Sequence, residues 1–270
     1  MGRAIYVSSV NGDDANSGYA PEKAFRSLRK VNQMEIQPGD QILLERGSVF
    51  VGEYLHLYRG GTKEAPVVVD AYGEGALPRI ETDGNGIWYQ NYGGHLDNVV
   101  HIWKGYLSSA VLLYDAEYIS IRNLEITNNP CVQNERLNQA DRMNRTGVSV
   151  IAKNHGTLHE IELDHLYIHD VEGNIYDKHL NNGGIYMSVS RPDDEEKTGI
   201  ARYDGIHIHH CKVENCRRWG IAAGYTYQHD KFTTLELPDE VVKAYGSTNV
   251  VIEHNFVKDI GGDGITPMYC

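Results

Sequence analysis

Apolar and polar positions recur along this chain on one eight-residue pattern. Four segments align residue for residue: Ile119-Ser-Ile-Arg-Asn-Leu-Glu-Ile126, Ile161-Glu-Leu-Asp-His-Leu-Tyr-Ile168, Ile206-His-Ile-His-His-Cys-Lys-Val213 and Val250-Val-Ile-Glu-His-Asn-Phe-Val257. The pattern is apolar, polar, apolar, two polar, apolar, polar, apolar. Alternation with a period of two marks a strand with one face turned inward. The dipeptides Arg122-Asn123, Asp164-His165, His209-His210 and Glu253-His254 interrupt it at a fixed place, which predicts a bend between two short strands. The repeats begin 42, 45 and 44 residues apart, a spacing that belongs to stacked repeat architectures.

A second element follows each octet: Gly147-Val-Ser-Val-Ile151, Gly184-Ile-Tyr-Met-Ser188, Gly220-Ile-Ala-Ala223 and Gly264-Ile-Thr-Pro267. A glycine that bends the chain and a third strand are expected here. One coil then reads strand, bend, strand, turn, strand, excursion. The excursions, such as 133–145, 176–182, 191–203 and 228–246, carry the polar residues. Sandwiches and propellers need hairpin turns between antiparallel strands, and parallel βαβ sheets need long amphipathic helices. Neither is visible, so the coils are expected to stack in parallel. Asn123, His165, His210 and Asn255, at or one position after the bend, are expected to stack as polar ladders.

Before the repeats, Phe25 to Ile36 places apolar residues at 25, 28, 31, 34 and 36, the spacing of an amphipathic helix that would cover the first coil. Strands are expected at the N-terminus, at Gln41-Ile-Leu-Leu44 and at Pro66-Val-Val-Val69. At the other end the sequence stops within a repeat. Solenoids need a terminal cap, so the chain is expected to lack its C-terminal coils.

The opening motifs Tyr6-Val-Ser8, Asn11-Gly-Asp-Asp14, Asn16-Ser-Gly18, Phe25-Arg-Ser-Leu28, Pro38-Gly-Asp40, Ala65-Pro66 and Ala71-Tyr-Gly73 resemble those of bacterial right-handed β-helix proteins of the pectin-lyase-like superfamily. That group includes glycoside hydrolases and polysaccharide lyases. The resemblance implies an all-β fold, a right-handed parallel β-helix solenoid with an N-terminal capping helix. A single domain over 1–270 is expected, with cap and first coils in 1–80 and repeating coils with long loops in 81–270. It implies carbohydrate chemistry without specifying a reaction, because members use different residues.

Composition narrows the partners. A formal charge of −12 opposes nucleic acid, and no apolar run is long enough to span a membrane. The 18 tyrosines, against 4 phenylalanines, suit a groove that grips polar ligands. Cys131, Cys211, Cys216 and Cys270 form neither a disulfide framework nor a zinc knuckle and are read as small buried apolar residues. The N-terminus enters a strand at once, without a basic-then-apolar leader. A cytoplasmic location is expected, or secretion if a leader was removed.

Excursions on one side of such a solenoid form a long groove for a glycan. Asp263, in the glycine-flanked turn 261–265, Asp177 and Asp230 are the candidate catalytic carboxyl groups. Arg218-Trp219 with Tyr225 would bind sugar through a planar guanidinium and aromatic faces. His179 and His229, in corresponding excursions, are further candidates for substrate contact. Trp88, Tyr89, Tyr92, His95, His101, Trp103 and Tyr106 make a second cluster, either a groove wall or a packed insertion. The acidic run Asp193-Asp-Glu-Glu196 lacks calcium-loop spacing and reads as solvated charge. No metal site is expected. The leading reading is a glycoside hydrolase working through a carboxylate pair without a cofactor. A lyase of uronic-acid glycans, which would use calcium, and a non-catalytic glycan-binding scaffold are the alternatives.

Overall fold

A computed structural model describes residues 2–94, 102–129, 143–177, 179–232 and 236–268. Among the described residues the regular elements are nearly all strands, with a few short helices, in a β-helix-like solenoid of three sheets that the chain visits in rotation. One rung runs Thr157–Asp164 in the first sheet, Tyr167–Val171 in the second and Gly183–Val189 in the third; the next runs Arg202–His209, Lys212–Cys216 and Ile221–Thr226. Among the described residues the strand pairings between rungs are parallel, and they keep one register apart from shifts between Thr127 and Asn128 and between Met187 and Val189. The exception to this order is Ile87–Asn91, which pairs antiparallel with Lys104–Tyr114.

The octets form the first two strands of each rung. Their apolar positions stack in files: Ile119 on Ile161 on Ile206 on Val250, and Ile126 on Ile168 on Val213 on Val257. Burying one such side chain contributes roughly 1.5–3 kcal/mol, and the core is the sum of these files. The bend falls where the dipeptides predict it. Asn123, His165, His210 and His254 all have φ between 49° and 57°, left-handed values that turn the chain from first sheet to second and that Asn and His tolerate better than most residues.

Two expectations need correction. The polar ladder contains His254, not Asn255: the imidazoles of His165, His210 and His254 stack at 4.9 and 5.2 Å. Asn255 sits one place on, where earlier rungs have Leu124, Leu166 and Cys211. There its side chain accepts from the Cys211 amide and donates to the Ile208 carbonyl. The helix expected over 25–36 shortens to Leu28–Asn32. Phe25 instead bridges to Val7 as extended chain, and Leu28, Val31 and Ile36 still bury their side chains.

The repeated glycines do not bend the chain. Gly147, Gly184, Gly220 and Gly264 lack positive φ and stack directly. A Cβ on Gly184 would stand 2.5 Å from a Val213 methyl and 2.6 Å from the Gly220 carbonyl oxygen; one on Gly220 would meet the Gly264 oxygen at 2.3 Å. Only glycine lets the rungs close at this corner. Cys211 and Cys216 are buried free thiols, pushed up to about 12 by desolvation; Cys131 and Cys270 lie outside the described residues. Gly184→Ala is expected to cost about 2 kcal/mol through overpacking, seen as a lower urea midpoint with an unchanged slope.

Candidate functional site

The turn from second sheet to third gathers most of the candidate residues. Thr146, Gly183, Trp219 and Asp263 occupy the same position in four consecutive rungs: Thr146 pairs with Gly183, the Gly184 amide donates to the Trp219 carbonyl and the Gly220 amide to that of Asp263. Arg218 precedes Trp219 with φ at 73° and lays its guanidinium over the indole, 4.5 Å from the ring centre. That cation–π contact contributes about 1 kcal/mol and holds Arg218 along the corner. Asp263 is exposed, one rung beyond Trp219.

Trp219 is 4% exposed, with its ring edge toward Tyr186. Among the described residues its indole N–H, the Arg218 Nε and the Thr266 hydroxyl are buried without a hydrogen-bond partner. Such groups cost about 1–3 kcal/mol each. Two of them, on Arg218 and Trp219, fall at this corner, where a polar ligand would restore lost hydrogen bonds.

Asp177 enters from the excursion after Tyr167–Val171. It is 8% exposed and accepts from the Asn144 amide at 2.6 Å and from the His179 backbone N–H at 3.1 Å. Desolvation pushes its carboxyl above the ordinary 3.8, although the Asn144 amide, the backbone N–H groups of His179 and Leu180 and the Arg218 charge all pull the other way. A carboxyl group with this bias keeps its proton to higher pH than usual, the property a proton donor needs.

The excursion then crosses the outer face of the third sheet. His179 is buried, its ring 4.3 Å from that of Tyr225 and its carbonyl accepting from the Tyr92 and Tyr186 hydroxyls. It is part of the packing, not an open contact for substrate. Leu180 joins Trp88, Tyr92, Leu107, Leu112, Ile151 and Tyr225 in a second apolar cluster outside the coil. The aromatic insertion is therefore mainly packed. Tyr89 and Tyr106, an edge-on pair at 5.0 Å, remain exposed, and His95 and His101 lie outside the described residues.

Asp230 and His229 do not join the corner. They lie in the short helix His229–Phe232 past the far end of the strand Ile221–Thr226, where Asp230 is largely exposed beside Lys231. The acidic run, expected as solvated charge, is exposed, and two of its residues also have local structural roles: Asp194 caps the helix Glu195–Thr198 and Asp193 pairs with Lys153 at 2.6 Å.

Sequence reasoning missed the polar residues that fix the excursion. Asn181 accepts from the Ser188 hydroxyl at 2.8 Å, and its amide N–H donates to Gln90 at the same distance. Asn182, fully buried, donates to the carbonyls of Asn174 and Asp177. The Asn181-Asn182 pair was the available signal, since buried amides at a turn brace loop backbone.

The chain is similar to a lacto-N-biosidase of glycoside hydrolase family GH136 from Eubacterium ramulus. Crystal structures of its native and selenomethionine forms match at 56% identity and a TM-score of 0.97, over 99–100% of this chain and 43% of that one. It is also 40% identical over 305 aligned residues to the lacto-N-biosidase of Bifidobacterium longum subsp. longum, covering 100% of this chain and 19% of that protein. The chain thus spans less than half the length of either relative. No family model matches it.

The bias at Asp177 has a measurable consequence. A carboxyl that holds its proton more tightly folded than unfolded favours folding below 3.8, and that contribution is lost as pH rises through the raised folded value. Urea midpoints from pH 3.5 to 7 are expected to show the wild type losing stability with pH relative to Asp177→Asn. Parallel profiles would show that Asp177 ionises as it does in the unfolded chain.

Proposed function

We propose that this chain is a sugar-binding and catalytic face of a glycoside hydrolase that acts on oligosaccharides as the lacto-N-biosidases do. Its scaffold is a right-handed parallel β-helix, with the segment around Leu28–Asn32 as its N-terminal cap. The observation that carries the reading is the second-to-third sheet corner, where a buried carboxyl group with weakened acidity feels the charge of Arg218, itself laid over the Trp219 ring. The lacto-N-biosidases at 40–56% identity support the reaction class.

In this mechanism Asp177 delivers a proton to the glycosidic oxygen as the bond to the leaving group breaks. Asp263, on the solvent side of Trp219, is the second carboxylate. It stabilises the positive charge that develops at the sugar carbon and either activates water or attacks that carbon. Arg218 and the Trp219 N–H donate to sugar oxygens, recovering the hydrogen bonds they lack. Two carboxyl groups complete this chemistry without a cofactor. A lyase would need a cation or basic cluster to neutralise a uronate, and at this corner Arg218 is engaged with the indole face.

Release of the aryl group from an aryl lacto-N-bioside tests both parts. The protein is expected to hydrolyse it. Asp177→Asn and Asp263→Asn should each lower kcat by about 100-fold or more with KM little changed, and Asp230→Asn should stay within about twofold. Full activity in both corner variants would remove the pair. No hydrolysis together with retained disaccharide binding would leave a glycan-binding scaffold.

A further inference from the structure

The outer face of the first sheet lies across the core from the sugar-binding corner, and it carries chemistry that glycoside hydrolysis does not use. His207 and His209, two residues apart on one strand, project from the same face. Glu162 is the register partner of His207 on the preceding rung, and Asp164 that of His209. One atom from each of Glu162, His207 and His209 can be chosen so that all three lie within 4.8 Å of one another. Around a tetrahedral zinc ion with ordinary bond lengths, donor atoms stand ~3.3 Å apart, so modest side-chain rotations close the set.

The geometry points to a divalent transition-metal site here, with zinc as the ion that best suits two imidazoles and a carboxylate. The groups around the three donors are arranged as support for ligands. Asp164 Oδ1 lies 3.0 Å from His209 Nδ1, which favours a proton on that nitrogen and leaves Nε2, 3.3 Å from Glu162 Oε1, as the donor to metal. Carboxylates steady metal-bound histidines in this manner. The Ser120 hydroxyl donates to Glu162 Oε2 at 2.5 Å and so directs Oε1 toward His209. Glu253, from the following rung, faces His207 Nε2 at 3.0 Å. The imidazole rings of His207 and His209 are 3.9 Å apart, an arrangement that two cationic rings disfavour and a shared cation would stabilise.

Because Glu162 and the histidines come from neighbouring rungs, the ion would cross-link them and add binding free energy to folding. Titration calorimetry with zinc chloride on the metal-stripped protein is expected to show one saturable site in the micromolar range, and zinc should raise the melting temperature. His207→Ala/His209→Ala should weaken this binding at least 30-fold and abolish the zinc-dependent rise, and Glu162→Gln should weaken it about tenfold. His155→Ala, which alters an exposed histidine paired with Glu117, should change neither. Circular dichroism before titration establishes that each variant is folded. Failure of the wild type to bind zinc saturably, or binding of equal strength in the double variant, would overturn the assignment.

Discussion

Backbone pairing between successive rungs is the constraint on which the rest of this molecule depends. A rung has no core of its own. It is buried only when its amides pair with the next rung, roughly 4.8 Å away, and parallel pairing in register sets equivalent residues directly above one another. Every file follows: isoleucine on isoleucine inside, imidazole on imidazole at the first corner, glycine on glycine at the second. The same spacing that lets apolar side chains interlock forbids a Cβ where two backbones approach most closely.

That constraint explains which features were legible. A structure built of equivalent rungs must write its repeat into the chain, so the alternation of octets and the bend at a polar pair were readable from residue types alone. The left-handed values at Asn123, His165, His210 and His254 are the physical content of that bend. The glycines were visible but their reason was not. A bend and a close approach both call for glycine, and only the neighbouring rung distinguishes them. Likewise Asn255 looked like a ladder residue because its type was right. It fills an apolar position instead, where two hydrogen bonds to the preceding rung make its burial tolerable. The helix was overextended because spacing at 25, 28 and 31 cannot show that Phe25 finds a strand partner in Val7.

The site was legible only where it follows the repeat. Arg218, Trp219 and Asp263 are tied to a rung position, so their place at one corner follows from alignment. His179, Asp230 and His229 lie in excursions of unequal length, whose paths are set by tertiary contacts outside the coil. His179 is a candidate for substrate contact by sequence, yet the aromatic insertion and the Gln90–Asn181–Ser188 bonds fold its loop against the third sheet. Asp230 belongs to the connection back to the first sheet and parts from the corner along a whole strand.

The packed excursion is what makes Asp177 chemically unusual. An aspartate in a mobile loop would solvate its charge and keep ordinary acidity. Here Asn182 and Asn144 hold backbone and carboxyl in place, so desolvation outweighs the groups that favour the anion. The second apolar cluster, at first sight a decoration on the solenoid, takes in Leu180 and so packs this loop against the outside of the coil. The regular coil therefore sets where Arg218, Trp219 and Asp263 stand, while the irregular layer outside it sets how Asp177 behaves. In the proposed reading, that combination is what gives the corner both a fixed platform for a polar ligand and a carboxyl group to carry a proton to it.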